Sequence, residues 1–514
     1  MAHGPGLRSR SSRWLVSAAA VPVVLTSLPL VYLAIRISQA GASSIVDELF
    51  RSRTLFLLLN TVTLAVSVTL GATVIGTAVA WCVERTDLPG RRAWRAFAGL
   101  PLAVPAFVSS YAWSSIDRGF QSMPGAIMIL TLSSYPLVYL PVAAALRHTD
   151  ASFEDVSRSL GHGPWHTFIY AVRPQIQPAL GSGAVLVLGH MLAEFGALAM
   201  LRVQTFTTAI FESYELQFDS TSAALQSTVL MALCLPAAWG EMRLRTNRRV
   251  ARIGRGNRRR ATPITLGWAK PLVVAGFVII ALIGLGAPLS TLVYWLSKGH
   301  SAGLDYADVL PAIQGSLSLS FIGAVLTSVC AIPLVLLAVR HRSHLSILAD
   351  RLPYIIHGLP GVVVALALVF LAIRIAPALY QTTFVLLCAY VILFLPLAQS
   401  SLRASVELAS PQMEDIARSL GRRPVQAFIS VTLPNIAPGI GAAMALMMLE
   451  IIRELTATLM LAPTDVITLA TEVWTHTADV EYAAAAPFAA LLVLLSLIPV
   501  YIFTQRLWRY GEEK

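Results

Sequence analysis

Stretches of about twenty uninterrupted apolar residues recur along the whole chain, each long enough to cross the hydrocarbon core of a bilayer as a helix. FVIIALIGLGAPLSTLVYWL, from Phe277 to Leu296, is one of them. Such long Leu/Val/Ala runs are unlike the short alternating segments of an outer-membrane barrel. The sequence therefore reads as an all-α polytopic membrane protein. Composition agrees: 56% of the 514 residues are hydrophobic and 13% are charged, where a soluble chain carries roughly a quarter charged residues.

About twelve transmembrane helices are expected, each close to bilayer length. They lie near residues 14–36, 57–82, 95–115, 124–146, 179–203, 222–240, 268–297, 314–339, 352–374, 379–402, 439–461 and 482–505. With an inward N-terminus, the loops 83–94, 147–178, 241–263, 340–351 and 403–438 and the tail from Gln505 all face the cytoplasm. These segments hold nearly all the arginines, as basic loops retained on the inner side should. The expected location is thus the cytoplasmic membrane of a bacterium, multi-pass, with both termini inside. The same loops account for the formal charge of +11, RLRTNRRVARIGRGNRRR at 243–260 above all. No nucleic-acid partner is needed, and contact with lipid headgroups is a further role for that stretch. Cys82, Cys234, Cys330 and Cys388 sit singly in or beside apolar runs, which gives neither a disulfide framework nor a zinc site. The basic start of the chain is signal-like, but its apolar part is too long for a signal core and reads as an uncleaved first helix.

Six spans, a basic linker and six more spans make two parallel repeats. The expected domains are residues 1–240, a linker at 241–265, and residues 266–514. Pro136 and Pro396 correspond across the repeat, as do AEFGALAML (193–201) and RELTATLML (453–461). A translocation pathway is expected at the axis relating the halves.

The polar part of the repeat is its most informative feature. EDVSRSLGHGPWHTFIYAVRPQIQP (154–178) and EDIARSLGRRPVQAFISVTLPNIAP (414–438) stand 260 residues apart. Ser152 is placed to cap a helix with acids in its first turn. Gly161 and Gly421 close that helix in a left-handed conformation, and Pro164 and Pro424 open a second one. Pro174 and Pro434 are expected to stop it, and Pro178 and Pro438 to turn the chain back into the membrane. The result is a helix–turn–helix on the cytoplasmic face with its charges displayed and Phe168 and Phe428 packed beneath. A passive loop has no need of near-duplicate Glu, Asp, Arg, Gly and Pro positions, whereas docking of two like soluble partners does.

These two segments resemble the coupling loop of ABC importer permeases: an acidic start, a central Gly and a later I-x-x-P. The small residues that usually follow the Glu are replaced here by Asp-Val and Asp-Ile. The resemblance implies that Glu154, Asp155, Gly161 and Pro174, with Glu414, Asp415, Gly421 and Pro434, couple the membrane domain to two copies of a separate ATPase. It also implies a substrate-binding protein as partner. The chain has no G-x-x-x-x-G-K-[ST] phosphate loop, so it is not expected to be an enzyme or to bind a cofactor. ATP and Mg²⁺ belong to the partner ATPase.

Ionisable residues within spans are costly and mark candidate sites. Glu194 and Glu454 are related by the repeat; Glu450 lies one turn before Glu454, Arg453 lies beside it, and His190 lies one turn before Glu194. They are the candidate translocation-path residues, with a structural salt-bridge network as the competing role. Carboxylates suit a hard cation, yet they assign no metal site firmly. The fused layout with AEFGA and RELTATLML resembles the ferric-iron importer permeases, which makes Fe³⁺ the expected cargo. Fused or related permeases for thiamine, phosphonate, sulfate or polyamine remain the alternatives, and an ion-driven secondary transporter is disfavoured by the duplicated docking segment. Pro101, Pro105, Pro353 and Pro360 fall within spans and bend them. Tyr111 and Trp113 are expected in an interfacial aromatic belt, Asp117 and Arg118 at a binding-protein contact, and His341 and His357 in structural roles.

Overall fold

The computed structural model describes residues 13–147, 149–247, 263–299, 306–340, 344–357 and 359–512. Most of the basic linker and His341 lie outside them, as does the side chain of His357. Among the described residues helices are the only extended elements of regular structure, and the one strand-like contact is a bridge between Thr86 and Ile264. In the first half the helices are α1 Arg13–Leu49, α2 Ser52–Arg85, α3 Arg91–Phe97, α4 Ala106–Ile116, α5 Met123–Arg147, α6 Ser152–Ser159, α7 Pro164–Thr167, α8 Arg173–Ala193, α9 Gly196–Met200, α10 Phe206–Glu215 and α11 Ser220–Asn247. They continue as α12 Lys270–Ala281, α13 Ala287–Lys298, α14 Tyr306–Arg340, α15 His344–His357, α16 Gly361–Ile375, α17 Thr383–Leu408, α18 Pro411–Ser419, α19 Pro424–Ala427, α20 Leu433–Ile452, α21 Thr456–Leu461, α22 Leu469–Ala478 and α23 Tyr482–Glu512.

Among the described residues, nine helices are long and apolar enough to cross a membrane, or ten if the pair Arg91–Ala103 and Ala106–Ile116, bent by 86°, is counted as one span. Shorter apolar helices lie at Gly361–Ile375 and Tyr482–Leu497. Several spans read as continuous are in fact broken. At 95–115 the break follows from proline: Val104 is extended, as residues before proline are, and Pro105 opens α4 without needing a backbone donor. Pro360 does the same ahead of α16. The spans expected at 179–203 and 439–461 break at Glu194 and at Arg453–Leu455, where α8 gives way to α9 and α20 to α21.

Close helix contacts are made by small residues, as in other membrane bundles. A Cβ on Gly76 of α2 would lie 2.7 Å from the Tyr135 carbonyl oxygen of α5. One on Gly183 of α8 would lie 2.9 Å from Val138 Cα.

The chain folds as two compact units. One comprises Met1–Gln39 and Leu310–Thr471, the other Ala40–Val309 and Glu472–Lys514. Compact units and sequence repeats thus divide the chain differently. Within the second unit the end of the linker is strapped to the α2–α3 turn. Ile264 N donates to Arg85 O at 2.8 Å, and Asp87 N donates to Ile264 O at 3.1 Å. Leu266 N donates to Asp87 Oδ1 at 2.8 Å and Lys270 Nζ to Asp87 Oδ2 at 2.9 Å.

Candidate functional site

The two copies of the polar segment fold alike. Ala151, not Ser152, is the N-cap of α6 and has no side chain to offer; Asp150 before it accepts from Ser152 N, the first helical amide, at 3.0 Å. At the far end Gly161 has φ +81° and Gly421 φ +90°. His162 N donates to Ser157 O at 3.2 Å and Gly161 N to Arg158 O at 3.0 Å; Arg422 N donates to Ala417 O at 3.2 Å and Gly421 N to Arg418 O at 2.9 Å. These crossed bonds are the Schellman closure that a left-handed glycine permits. Ser157 Oγ and Thr167 Oγ1 share a hydrogen bond of 3.0 Å that folds α7 back on α6.

The prolines act differently from the expectation. Pro174 and Pro434 do not stop the second helix, and Pro178 and Pro438 do not turn the chain. A π-turn at Phe168–Val172 and another at Phe428–Thr432 run directly into α8 and α20. Arg173 N donates to Phe168 O and Leu433 N to Phe428 O, five residues back, so the chain stays bonded up to a proline nitrogen that cannot donate and each helix continues from the surface into its span. Phe168 packs its edge on Trp81 with centroids 5.0 Å apart.

The expected charge display is found only in part, because the two glutamates turn inward. Glu154 is 4% exposed and Glu414 5%. Glu154 Oε1 pairs with Arg85 at the end of α2 at 2.8 Å, and Arg85 also donates to Thr149. Glu414 pairs with Arg340 at the end of α14 and accepts from Thr432 Oγ1 at 2.8 Å. Arg158 and Arg418, one turn on, lie 3.7 Å and 2.7 Å from the same carboxylates. Burial alone would raise the Glu414 pKa; the hydrogen bonds from Arg340 and Thr432 and the two guanidinium charges outweigh it and hold the carboxyl below its ordinary range. Asp155 and Asp415 face outward. Beside them lies an apolar stripe, Phe153 and Val156 on α6 with Leu160 at its C-cap and Met413 and Ile416 on α18 with Leu420 at its C-cap, Leu160 being 69% and Leu420 79% exposed. This i, i+3, i+7 spacing lays three apolar groups along one face, a pattern that marks a surface made to be covered. Arg85 and Arg340 had escaped sequence reading; the available signal was an Arg closing an apolar run at corresponding places in the two halves.

The intramembrane acids occupy the span breaks. Glu194 follows the last residue of α8 in an extended conformation, and its Oε1 accepts from Ala197 N at 2.9 Å, capping α9. Its carbonyl accepts from Thr207 Oγ1 at 2.7 Å, and His190 Nε2 lies 3.7 Å from its Oε2. Glu454 does the same for α21, accepting from Ala457 N at 3.0 Å, Thr458 N at 3.2 Å and Thr458 Oγ1 at 3.1 Å. Tyr390 Oη and Thr458 Oγ1 share a further bond of 2.8 Å, and both side chains line a small void together with Glu454, Ser316 and Thr468. Glu450 pairs with Arg453 at 2.7 Å. Because α20 ends at Ile452, Glu450 and Glu454 do not share a helical face. Glu450 is thus held in an ion pair and Glu454 in a helix cap.

One aromatic expectation also changed. Tyr111 is fully buried and donates to Tyr482 O at 2.6 Å, so it is no interfacial residue. Asp117 caps a turn, accepting from Gly119 N at 2.8 Å. Cys82, Cys234, Cys330 and Cys388 are free thiols. No group of three or more His, Cys, Asp or Glu able to hold a metal occurs among the described residues.

The family model for the binding-protein-dependent transport system inner membrane component matches residues 2–240 and again 323–509. The Fe(3+)-transport system permease protein FbpB 2 of Haemophilus influenzae is 47% identical over 479 residues, covering 92% of this chain and 94% of that protein. The sulfate transport system permease protein CysT of Escherichia coli is 28% identical, over 32% of this chain and 66% of its own. The molybdenum transport system permease protein ModB of Escherichia coli is 30% identical, over 23% of this chain and 58% of its own.

Proposed function

The chain belongs to the binding-protein-dependent transport system inner membrane component family, and on that basis we propose that it is the membrane-spanning permease of an ATP-driven importer of ferric iron. The observation that carries the ATP-driven part is the pair of matched docking elements. Each half presents a short helix whose buried Glu is bolted to an Arg at the end of a span, with an apolar stripe turned outward. Two copies of a partner ATPase cover those stripes and use ATP and Mg²⁺, which this chain does not bind. Movement of either ATPase reaches α2 through Glu154–Arg85 and α14 through Glu414–Arg340. Asp155 and Asp415 sit at the rim of the covered surface. Both termini and the docking helices lie on the cytoplasmic side, where basic loops are retained, and each sequence repeat acts as one permease half.

Iron as cargo rests on likeness to the Haemophilus influenzae protein over nearly the full length of both chains. Glu194, Glu454 and the Glu450–Arg453 pair are assigned to the translocation path. The Glu194 and Glu454 carboxylates each take the first amides of a short helix, so a cation that draws one away exposes a helix N-terminus, and binding is coupled to the shape of the break.

Reconstitution in liposomes with the partner ATPase and a loaded binding protein tests this. Fe³⁺ uptake that needs both is the expected result. ATP-dependent uptake of sulfate or thiamine instead would discard iron, and uptake without any ATPase would overturn the coupling assignment.

A further inference from the structure

We propose that two strained corners, Leu216–Asp219 and Asp479–Glu481, together form the surface on which the substrate-binding protein docks. The proposal rests on the importer reading above and adds the residues that make the contact.

The first corner joins α10 to α11. Phe218 stands there at φ +54° with its side chain 86% exposed, and Leu216 beside it is also exposed. The second joins α22 to α23, where Val480 has φ +64° and is likewise exposed. Left-handed backbone disfavours residues with a Cβ, β-branched ones most. The turns on α6 and α18 meet the same need with Gly161 and Gly421. At the two corners a large apolar side chain is kept in spite of the strain, and the surroundings enforce it. Asp219 N donates to Ser213 O at 2.8 Å, and its carboxylate accepts from Thr221 N, Ser222 N and Ser222 Oγ at 2.7–3.1 Å. Glu481 N donates to His476 O at 2.7 Å, and its carboxylate lies 2.9 Å from His476 Nδ1. Strain held in place by neighbours on both sides is a mark of a functional position.

Both corners belong to one compact unit and lie at its end remote from α6. The span that begins at Ser220 runs from the first corner back toward the linker. The span that begins at Gly267, next to the strap, ends near Trp295, whose ring lies 5.7 Å from that of Tyr482. The helices leading into the corners touch: Phe211 of α10 and Trp474 of α22 are 6.1 Å apart, and both pack on Phe195, at 4.7 and 5.4 Å. Phe195 is the residue after Glu194.

Exposed carboxylates flank the apolar tips: Asp219 beside Phe218, and Asp479 and Glu481 on either side of Val480. Apolar tips rimmed by anions are unsuited to hydrocarbon and to anionic headgroups. They suit a water-phase partner with an apolar pocket ringed by Lys or Arg. In a binding-protein-dependent importer the water-phase partner on the side away from the ATPases is the binding protein.

The test uses F218G, V480G and the double variant, because glycine takes the left-handed turn freely and removes only the tip. In nanodiscs with the ATPase, binding of the iron-loaded binding protein is measured by biolayer interferometry across a salt series. Affinity is expected to fall roughly tenfold per tip, the usual loss for a central apolar anchor, and to weaken with salt in the unaltered complex. Melting temperatures no lower than that of the unaltered protein are expected and show that the corners still fold. Unchanged affinity in the double variant overturns the docking surface while leaving the importer reading in place. An unaltered complex that never binds a loaded binding protein overturns both.

Discussion

The Arg–Glu bolts make a quantitative prediction. In the first half, Arg85 and Glu154 are both about 5% exposed at the side chain and 2.8 Å apart. Removing one member leaves the other charge buried, which costs about 3–5 kcal/mol for such a pair. In the second half Arg340 is 17% exposed and Glu414 6%, so water relieves part of that penalty and about 2–3 kcal/mol is expected. These costs fall on the seat of α6 or α18, not on the spans, which keep their own apolar packing. Glu154→Gln, Arg85→Met and the double variant form a thermodynamic cycle, and Glu414→Gln with Arg340→Met forms a second. Each single variant should hydrolyse ATP in the reconstituted complex with little response to the loaded binding protein, and its iron uptake should fall about 10- to 100-fold, the factor that about 1.4–2.7 kcal/mol of the lost seating would yield. The double variants, with no orphaned charge, should recover part of the uptake. Single and double variants whose effects simply add would refute the bolt, because two groups in direct contact that act through each other are coupled, not additive.

Gly161→Val and Gly421→Val should each strain the Schellman closure by about 1–2 kcal/mol and uncouple hydrolysis from transport, read as ATPase activity without uptake. The folded-state pKa of Glu414 lies below its unfolded value, so its contribution is fully present above pH about 4.3 and is lost as pH falls further, through the folded value. Protease nicking of the α18 segment should therefore be flat from neutral pH to about 4.5 and rise below that. Glu454→Gln retains one acceptor for the three donors that cap α21 and should reduce iron uptake more than tenfold, while Glu450→Gln disturbs only the pair with Arg453 and should reduce it less; direct uptake assays separate them.

The spans and the repeat were legible because apolar runs of bilayer length and a duplicated Gly/Pro pattern depend only on local sequence. The left-handed turns at Gly161 and Gly421 were legible for the same reason. The inward turn of Glu154 and Glu414 was not, since it depends on Arg85 and Arg340, some seventy residues earlier in the chain. A carboxylate in the first turn of a surface helix reads as displayed until the cation that claims it is known. The span breaks at Glu194 and Glu454 were hidden by apolar sequence on both sides of them. What ends each helix there is the acid itself, whose carboxylate takes the amides of the next helix in place of another helical turn. Pro174 and Pro434 read as stops because the π-turns that accommodate them leave no mark in composition.

The strap between the linker and the α2–α3 turn has a mechanical consequence. Arg85 is the junction: its carbonyl holds Ile264 while its guanidinium holds Glu154. Force on the linker and force on α6 therefore converge on one residue, as two ropes share a cleat. Arg340 meets Glu414 of α18 and Thr432, with no such strap among the described residues, so two ATPase copies docked as proposed would pull on unlike loads. Joining the halves in one polypeptide thus removes the symmetry that two separate identical subunits would be obliged to keep.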